Sequence, residues 1–243
     1  ARSEPQTVER HIILERGDIP LVAMSSSGTL VLSMGTVTQN RLARVSMRGQ
    51  VEALPVTATD FRGVRVSPDG RKVAYGANAS TFVHDLSIGS TRKLVPDWSS
   101  WDPVWSRDGA RITFHTMRPP NDSLSTLEFD GFEVAADGSG SVRRLFRHPL
   151  VAGPQAWTPD GRLIAHGLHE GGQTTSGSDL YVVSFEGDSA RVQTLLDAPW
   201  NETMPSLSPD GKWIAYRANP SNEWALYVRR FPDAAAGVWQ VSE

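Results

Sequence analysis

Four acids, Asp18, Asp60, Asp102 and Glu202, each stand shortly ahead of a copy of a recurring turn motif in this 243-residue chain. Carboxylates converging from separate segments can bind a hard cation such as calcium, which takes oxygen ligands in flexible numbers, or can receive a basic peptide segment. They can equally pair with Arg62 and Arg65 and cap strand ends. Three histidines, His115, His166 and His169, follow two of the motifs and would add nitrogen ligands suited to zinc. Residues three apart on an extended strand point to opposite faces, so His166 and His169 cannot share one ion unless the strand ends between them. The alternative is a buried, hydrogen-bonded His166 with His115 and His169 at the surface. A metal held by Asp18, Asp60, Asp102 and Glu202, joined by His115 or His169, could activate water for hydrolysis of esters, lactones or phosphotriesters.

Local catalytic signatures are missing. The chain has no Gly-x-Ser-x-Gly elbow, phosphate loop, His-Glu-x-x-His or dinucleotide fingerprint. It has no cysteine, which excludes disulfides, thiolate zinc sites and a thiol nucleophile. Twenty-four basic and 27 acidic residues give a net charge of −3 without a long block of either sign, which argues against nucleic acid as a partner. No run of eighteen apolar residues occurs, so no membrane insertion is expected, and the first residues lack the apolar stretch of a signal peptide. A soluble chain, processed or truncated, is the expectation. Asp137-Gly-Ser-Gly-Ser141 lacks the ligand series of a calcium loop and is read as a hairpin turn.

The acids are positioned by a repeat. Val66-Ser-Pro-Asp-Gly70, Trp105-Ser-Arg-Asp-Gly109, Trp157-Thr-Pro-Asp-Gly161 and Leu207-Ser-Pro-Asp-Gly211 are each followed by a β-rich triplet, and Met24-Ser-Ser-Ser-Gly28 is a weaker fifth copy. Their glycines, at 28, 70, 109, 161 and 211, are 42, 39, 52 and 50 residues apart, around the length of a propeller blade. Pro sets φ at the first corner of the turn, Asp tolerates the second, and Gly accepts the left-handed conformation that closes a hairpin. A second pair of strand-like runs follows each copy, giving four strands per unit. The fold expected is all-β: a five-bladed, or truncated six-bladed, propeller of four-stranded antiparallel blades in one domain over 1–243. The blades fall at about 19–56, 61–96, 100–148, 152–198 and 202–243, with an extra strand at 7–14. Longer insertions lie at 117–126 and 168–178.

Propellers bind ligands where their innermost strands line the central channel. Aligning the copies puts Ala23, Arg65, Val104, Ala156 and Ser206 in one channel layer and Leu21, Gly63, Asp102, Pro154 and Met204 in a higher one. The mouth receives Asp18, Asp60, Ser99, Asn201 and Glu202, with Trp98, Trp101 and Trp200 beside it, while Trp105 and Trp157 take a core slot between blades. The candidate ligand-binding set is therefore Asp60, Arg65, Trp101, Asp102, Asn201 and Glu202.

The Ser-Pro-Asp-Gly strand pairs resemble the TolB-like propeller repeat from about residue 19 onward. Trp200-Asn-Glu-Thr203, Leu226-Tyr-Val-Arg-Arg-Phe-Pro232 and Val238-Trp-Gln-Val-Ser242 resemble the extracytoplasmic propeller of bacterial eukaryotic-like serine/threonine protein kinases, although no kinase segment is present. Members of that family continue into another blade past this point. The resemblance implies a bacterial periplasmic or cell-surface location and a non-catalytic module that offers its channel mouth to a protein, peptide or small ligand, with no firmly implied cofactor. Unpaired strand edges invite pairing. The run Val8–Leu14 is expected to close the ring as a strap, with dimerisation through edge strands as the alternative.

Overall fold

The computed structural model describes residues 14–15, 19–20, 22–24, 29–36, 39–46, 48–57, 59, 61–95, 100–116, 129–149, 151–168, 177–233 and 237–242. Among them every regular element is a strand. Five four-stranded antiparallel sheets follow one another along the chain, each meandering from an inner to an outer strand. The inner strands are Val22–Met24, Arg62–Val66, Ser100–Trp105, Val151–Trp157 and Glu202–Leu207, and they touch in chain order around a channel. This is the five-bladed propeller that the repeat implies. Most of the 7–14 strap lies outside the described residues, as does most of both insertions; its last residue, Leu14, pairs with Pro20 in a two-stranded hairpin.

The turn motif builds the first hairpin of a blade with more chemistry than its φ angles. Gly70, Gly109, Gly161 and Gly211 have φ of 74°, 71°, 81° and 69°. In each turn the hydroxyl three residues before the glycine donates to the aspartate: Ser67, Ser106 and Ser208 at 2.6 Å and Thr158 at 2.5 Å. The same oxygens accept the backbone N–H groups of Lys72, Arg111 and Trp213 on the following strand, and of Arg162 just ahead of it. Hydrogen bonds hold the four aspartates below the usual carboxylate pKa. Turns of neighbouring blades also abut, since Pro159 occupies the space a side chain at Gly211 would need.

A second irregularity recurs in the inner strands and matters more for the channel. Pairing with the second strand slips between Arg62 and Arg65, Trp101 and Val104, and Thr203 and Ser206. Each slip is a β-bulge holding a residue in the left-handed region: Gly63 (φ 53°), Asp102 (φ 50°) and Met204 (φ 53°). In blade four the aligned residue is Pro154, whose ring forbids positive φ. The slip there is split in two, between Val151 and Gly153 and between Pro154 and Ala156.

Blades are held by apolar clusters that span neighbours. Val31 and Leu42 of blade one join Phe61, Val73 and Tyr75 of blade two. Ala74 and Val83 join Ile112, Phe114 and Phe132 of blade three. Leu145 and Phe146 join Leu163 and Tyr181 of blade four, and Ile164, Leu180 and Val182 join Ile214 and Tyr216 of blade five. Two indole N–H groups fasten neighbouring blades across these seams: Trp105 Nε1 donates to the Arg65 carbonyl at 3.1 Å and Trp157 Nε1 to Thr113 Oγ1 at 3.0 Å.

Candidate functional site

The channel holds a polar array contributed by three blades. Arg65 Nη2 donates to Gln155 Oε1 at 3.3 Å, and Gln155 Nε2 lies 3.2 Å from His166 Nδ1. Nearby, Asp102 Oδ2 lies 3.7 Å from His115 Nδ1, too far for a hydrogen bond. His115 is only 9% exposed, and its Nδ1 is buried without a hydrogen-bond partner. Burial pushes the His115 pKa down to about 4, against the attraction of Asp102 and with the repulsion of His166. His166 is lowered as well, again by burial first. Burial thus favours the neutral form of both rings, which donates from one nitrogen and accepts at the other.

The bulges make this array. Asp102 in the left-handed conformation brings its backbone against Gly63: a Cβ on Gly63 would lie 2.9 Å from Asp102 Cα and 3.1 Å from Asp102 Oδ1. The next blade uses glycine differently, since Gly153 pairs with His166 and a Cβ there would meet the imidazole Cε1 at 2.6 Å. Toward the turn end, the channel opens into a cavity of about 340 Å³ to which all five blades contribute, lined by Met24, Arg65, Trp105, Arg107, Gln155 and Pro209 among others. Arg107 Nη2 reaches the Pro209 carbonyl at 3.3 Å and bridges blades three and five.

Of the candidate residues, Arg65, Asp102 and His115 come together in this channel. Trp101 is partly buried at its upper part, with the Arg62 guanidinium 5.1 Å from its ring centroid. Asp18, Asp60 and His169 lie outside the described residues. Asn201 ties blade four to blade five: its side-chain oxygen accepts Ser178 N–H at 3.1 Å, and its own N–H donates to Asn219 Oδ1 at 2.8 Å. Glu202 is not in the channel. It precedes the bulge and pairs with Ala218, a position filled by the buried Phe61 in blade two and the buried Ser100 in blade three.

Glu202 therefore faces a cleft between blades four and five. This cavity of about 470 Å³ is lined by residues that include Leu196, Asp197, Trp200, Tyr216, Tyr227 and Arg229. Glu202 is 3% exposed and accepts one hydrogen bond, from Ala198 N–H at 3.3 Å. Burial pushes its carboxyl up to about 7; Asp179 and Asp197 act in the same direction and Arg229 against it. Among the described residues no three His, Asp or Glu side chains gather closely enough to hold a metal ion.

Sequence reasoning missed Gln155 and the burial of His115. Gln155 was skipped because alignment by the turn glycine assumes one bulge position, and Pro154 moves it. The position of His115 is taken by Gly76 and Gly167 in the neighbouring blades, a replacement that could have marked it.

No protein-family model matches the chain. Among curated proteins, an uncharacterized peptidase of Bacillus subtilis is 25% identical over a 214-residue alignment that covers 68% of this chain but only 31% of that protein. Among solved structures, a putative TolB from Agrobacterium tumefaciens aligns with TM-score 0.68 and 19% identity, covering 90% of this chain and 78% of that one. TolB from Acinetobacter baumannii gives 0.67 and 19%, covering 91% and 51%. The propeller domain of the Trilobed protease from Pyrococcus furiosus, described as having an open velcro topology, gives 0.62 and 12%, covering 92% and 69%. The chain thus has the fold of the TolB-like propellers, a fold that enzymes and binding proteins share.

Proposed function

We propose that this chain is a binding propeller of the bacterial envelope that takes a peptide, a protein segment or a small polar ligand in its central channel. The observation that carries the reading is the Arg65–Gln155–His166 array facing Asp102 and His115, with His115 Nδ1 buried and unpartnered. A buried polar atom without a partner costs on the order of 1–3 kcal/mol, a cost that a ligand able to bond to it removes. Support for the envelope setting comes from the TolB structures and from the sequence resemblance to kinase-borne propellers; among the described residues no helix is long and apolar enough to cross a membrane. The metal-dependent hydrolase reading draws less support, because Glu202 lines a cleft whose walls include neither Asp102 nor His115.

The test is affinity capture from envelope extract on immobilised wild type, Arg65→Ala and Asp102→Ala, with circular dichroism as the control for folding. A partner held by wild type and lost from both variants supports the channel reading. A partner held equally by all three overturns it. Turnover of model esters or peptides by wild type, abolished in Asp102→Ala, would replace binding by catalysis.

A second reading has its own observation. The chain spans about a third of the curated peptidase it matches, and it covers 39% of a puromycin hydrolase with TM-score 0.66. The propeller would then be one portion of a longer hydrolytic protein, screening what reaches a catalytic domain. The complete reading frame of the gene decides this: a Ser-His-Asp domain following the propeller supports it, and its lack removes it.

A further inference from the structure

The cleft between blades four and five contains an acid and a base that make no hydrogen bond or ion pair with each other. Glu202 is almost wholly buried yet accepts one long hydrogen bond, from a backbone N–H. Arg229 lines the same cavity, with its guanidinium carbon 5.9 Å from the Tyr216 ring centroid and its Nε buried without a hydrogen-bond partner. No ion pair joins the two among the described residues. Glu202 lies on the inner strand of blade five and Arg229 on the third, with the second strand between them, and a buried charge without a partner carries its full desolvation cost. Here both poles face a shared space instead.

The walls of that space are specific too. Tyr216 and Tyr227 stack with centroids 5.9 Å apart, and Trp200 stands at the rim, 38% exposed. Leu195, Leu196 and Val238 supply apolar surface. Aromatic faces beside a carboxylate favour an ammonium group. A guanidinium favours a carboxylate or carbonyl. The volume of about 470 Å³ suits a ligand of one to two residues.

We propose that this cleft is a second binding site, separate from the channel, for a zwitterion: an α-amino acid or short peptide with apolar side chains, its ammonium group on Glu202 and its carboxylate on Arg229. Asp197 and Asp179 add negative charge at the ammonium end. The site belongs to blade five and its seam with blade four, so it stands or falls independently of the channel reading.

The experiment is calorimetric titration with leucyl-leucine, its N-acetylated form and its C-terminal amide, each of the latter lacking one pole. Wild type is expected to bind the free dipeptide about tenfold more tightly than either blocked form. In Glu202→Gln the free and acetylated dipeptides should bind alike, and in Arg229→Gln the free and amidated ones. Comparing probes on each protein keeps the result interpretable even when a variant is less stable. Equal binding of all three peptides by wild type, or no heat from any of them at millimolar concentration, overturns the proposal.

Discussion

Gly63 gives the sharpest test of how the channel is built. Replacing it with alanine imposes two costs that can be separated. The first is conformational: at φ 53° a Cβ is strained by about 1–2 kcal/mol. The second is steric, because the new carbon would lie 2.9 Å from Asp102 Cα, 3.0 Å from Pro103 Cδ and 3.1 Å from Asp102 Oδ1. Two of these atoms sit in the backbone or in a ring bonded to it, so the bulge of blade three must move, at about 1–3 kcal/mol. Gly140 supplies the control. Its φ is 74°, yet nothing lies within 4 Å of the built Cβ, so Gly140→Ala carries the first cost alone. Urea denaturation should place Gly63→Ala about 2–5 kcal/mol below wild type and Gly140→Ala about 1–2. At roughly 2–4 °C per kcal/mol for a chain of this size, thermal melts separate the two readily. If the variants lose equal stability, the packing of Asp102 against Gly63 is not a close contact, and the geometry of the channel array loses its support.

Three further outcomes follow from named contacts. Glu202 holds a proton up to about 7 in the folded state against 4.5 ordinarily, so the folded chain keeps a proton the unfolded chain releases. Stability should therefore fall as pH rises from about 4.5 to about 7, by on the order of 2 kcal/mol once solvent screening in the cleft is allowed for, and urea melts of Glu202→Gln should lack this component. His115 works in the opposite sense: with its pKa lowered from 6.5 to about 4, its contribution is present above about 6.5 and lost as pH falls toward 4, and melts of His115→Gln across that window should show a shallower acid loss. Asp130 is 3% exposed and accepts Arg147 Nε at 2.9 Å and Nη2 at 3.1 Å; Asp130→Asn should cost about 2–3 kcal/mol by denaturation, and an unchanged midpoint would count against the bidentate pair.

The architecture was legible because its cause is local and repeated. A Ser/Thr-x-Asp-Gly turn uses the hydroxyl, the carboxylate and the glycine within five residues, so each copy specifies its own hairpin whatever surrounds it. The candidate site was less legible because it depends on a displaced register. Aligning copies by their glycines places Asp102 opposite Gly63 and Met204 correctly, and all three adopt positive φ. Counting two residues further back to Glu202 and Asn201 crosses the bulge, and the alternation of inward and outward side chains breaks there. Glu202 was consequently expected at the mouth and lies between blades.

The same bulge explains why chemistry gathers where it does. A regular inner strand would send alternate side chains into the two neighbouring seams, leaving the channel lined mainly by backbone. Slipping the register by one residue breaks that alternation and holds one residue in the left-handed region, at a strain of about 1–3 kcal/mol when that residue is not glycine. Blade two avoids the strain with Gly63, and blade four avoids it with a split bulge around Pro154. Blade three accepts it with Asp102, the residue that faces buried His115, and blade five accepts it with Met204. Asp102 in that strained conformation, beside an imidazole whose Nδ1 is buried without a hydrogen-bond partner, is the part of the channel where a bound ligand has most to gain.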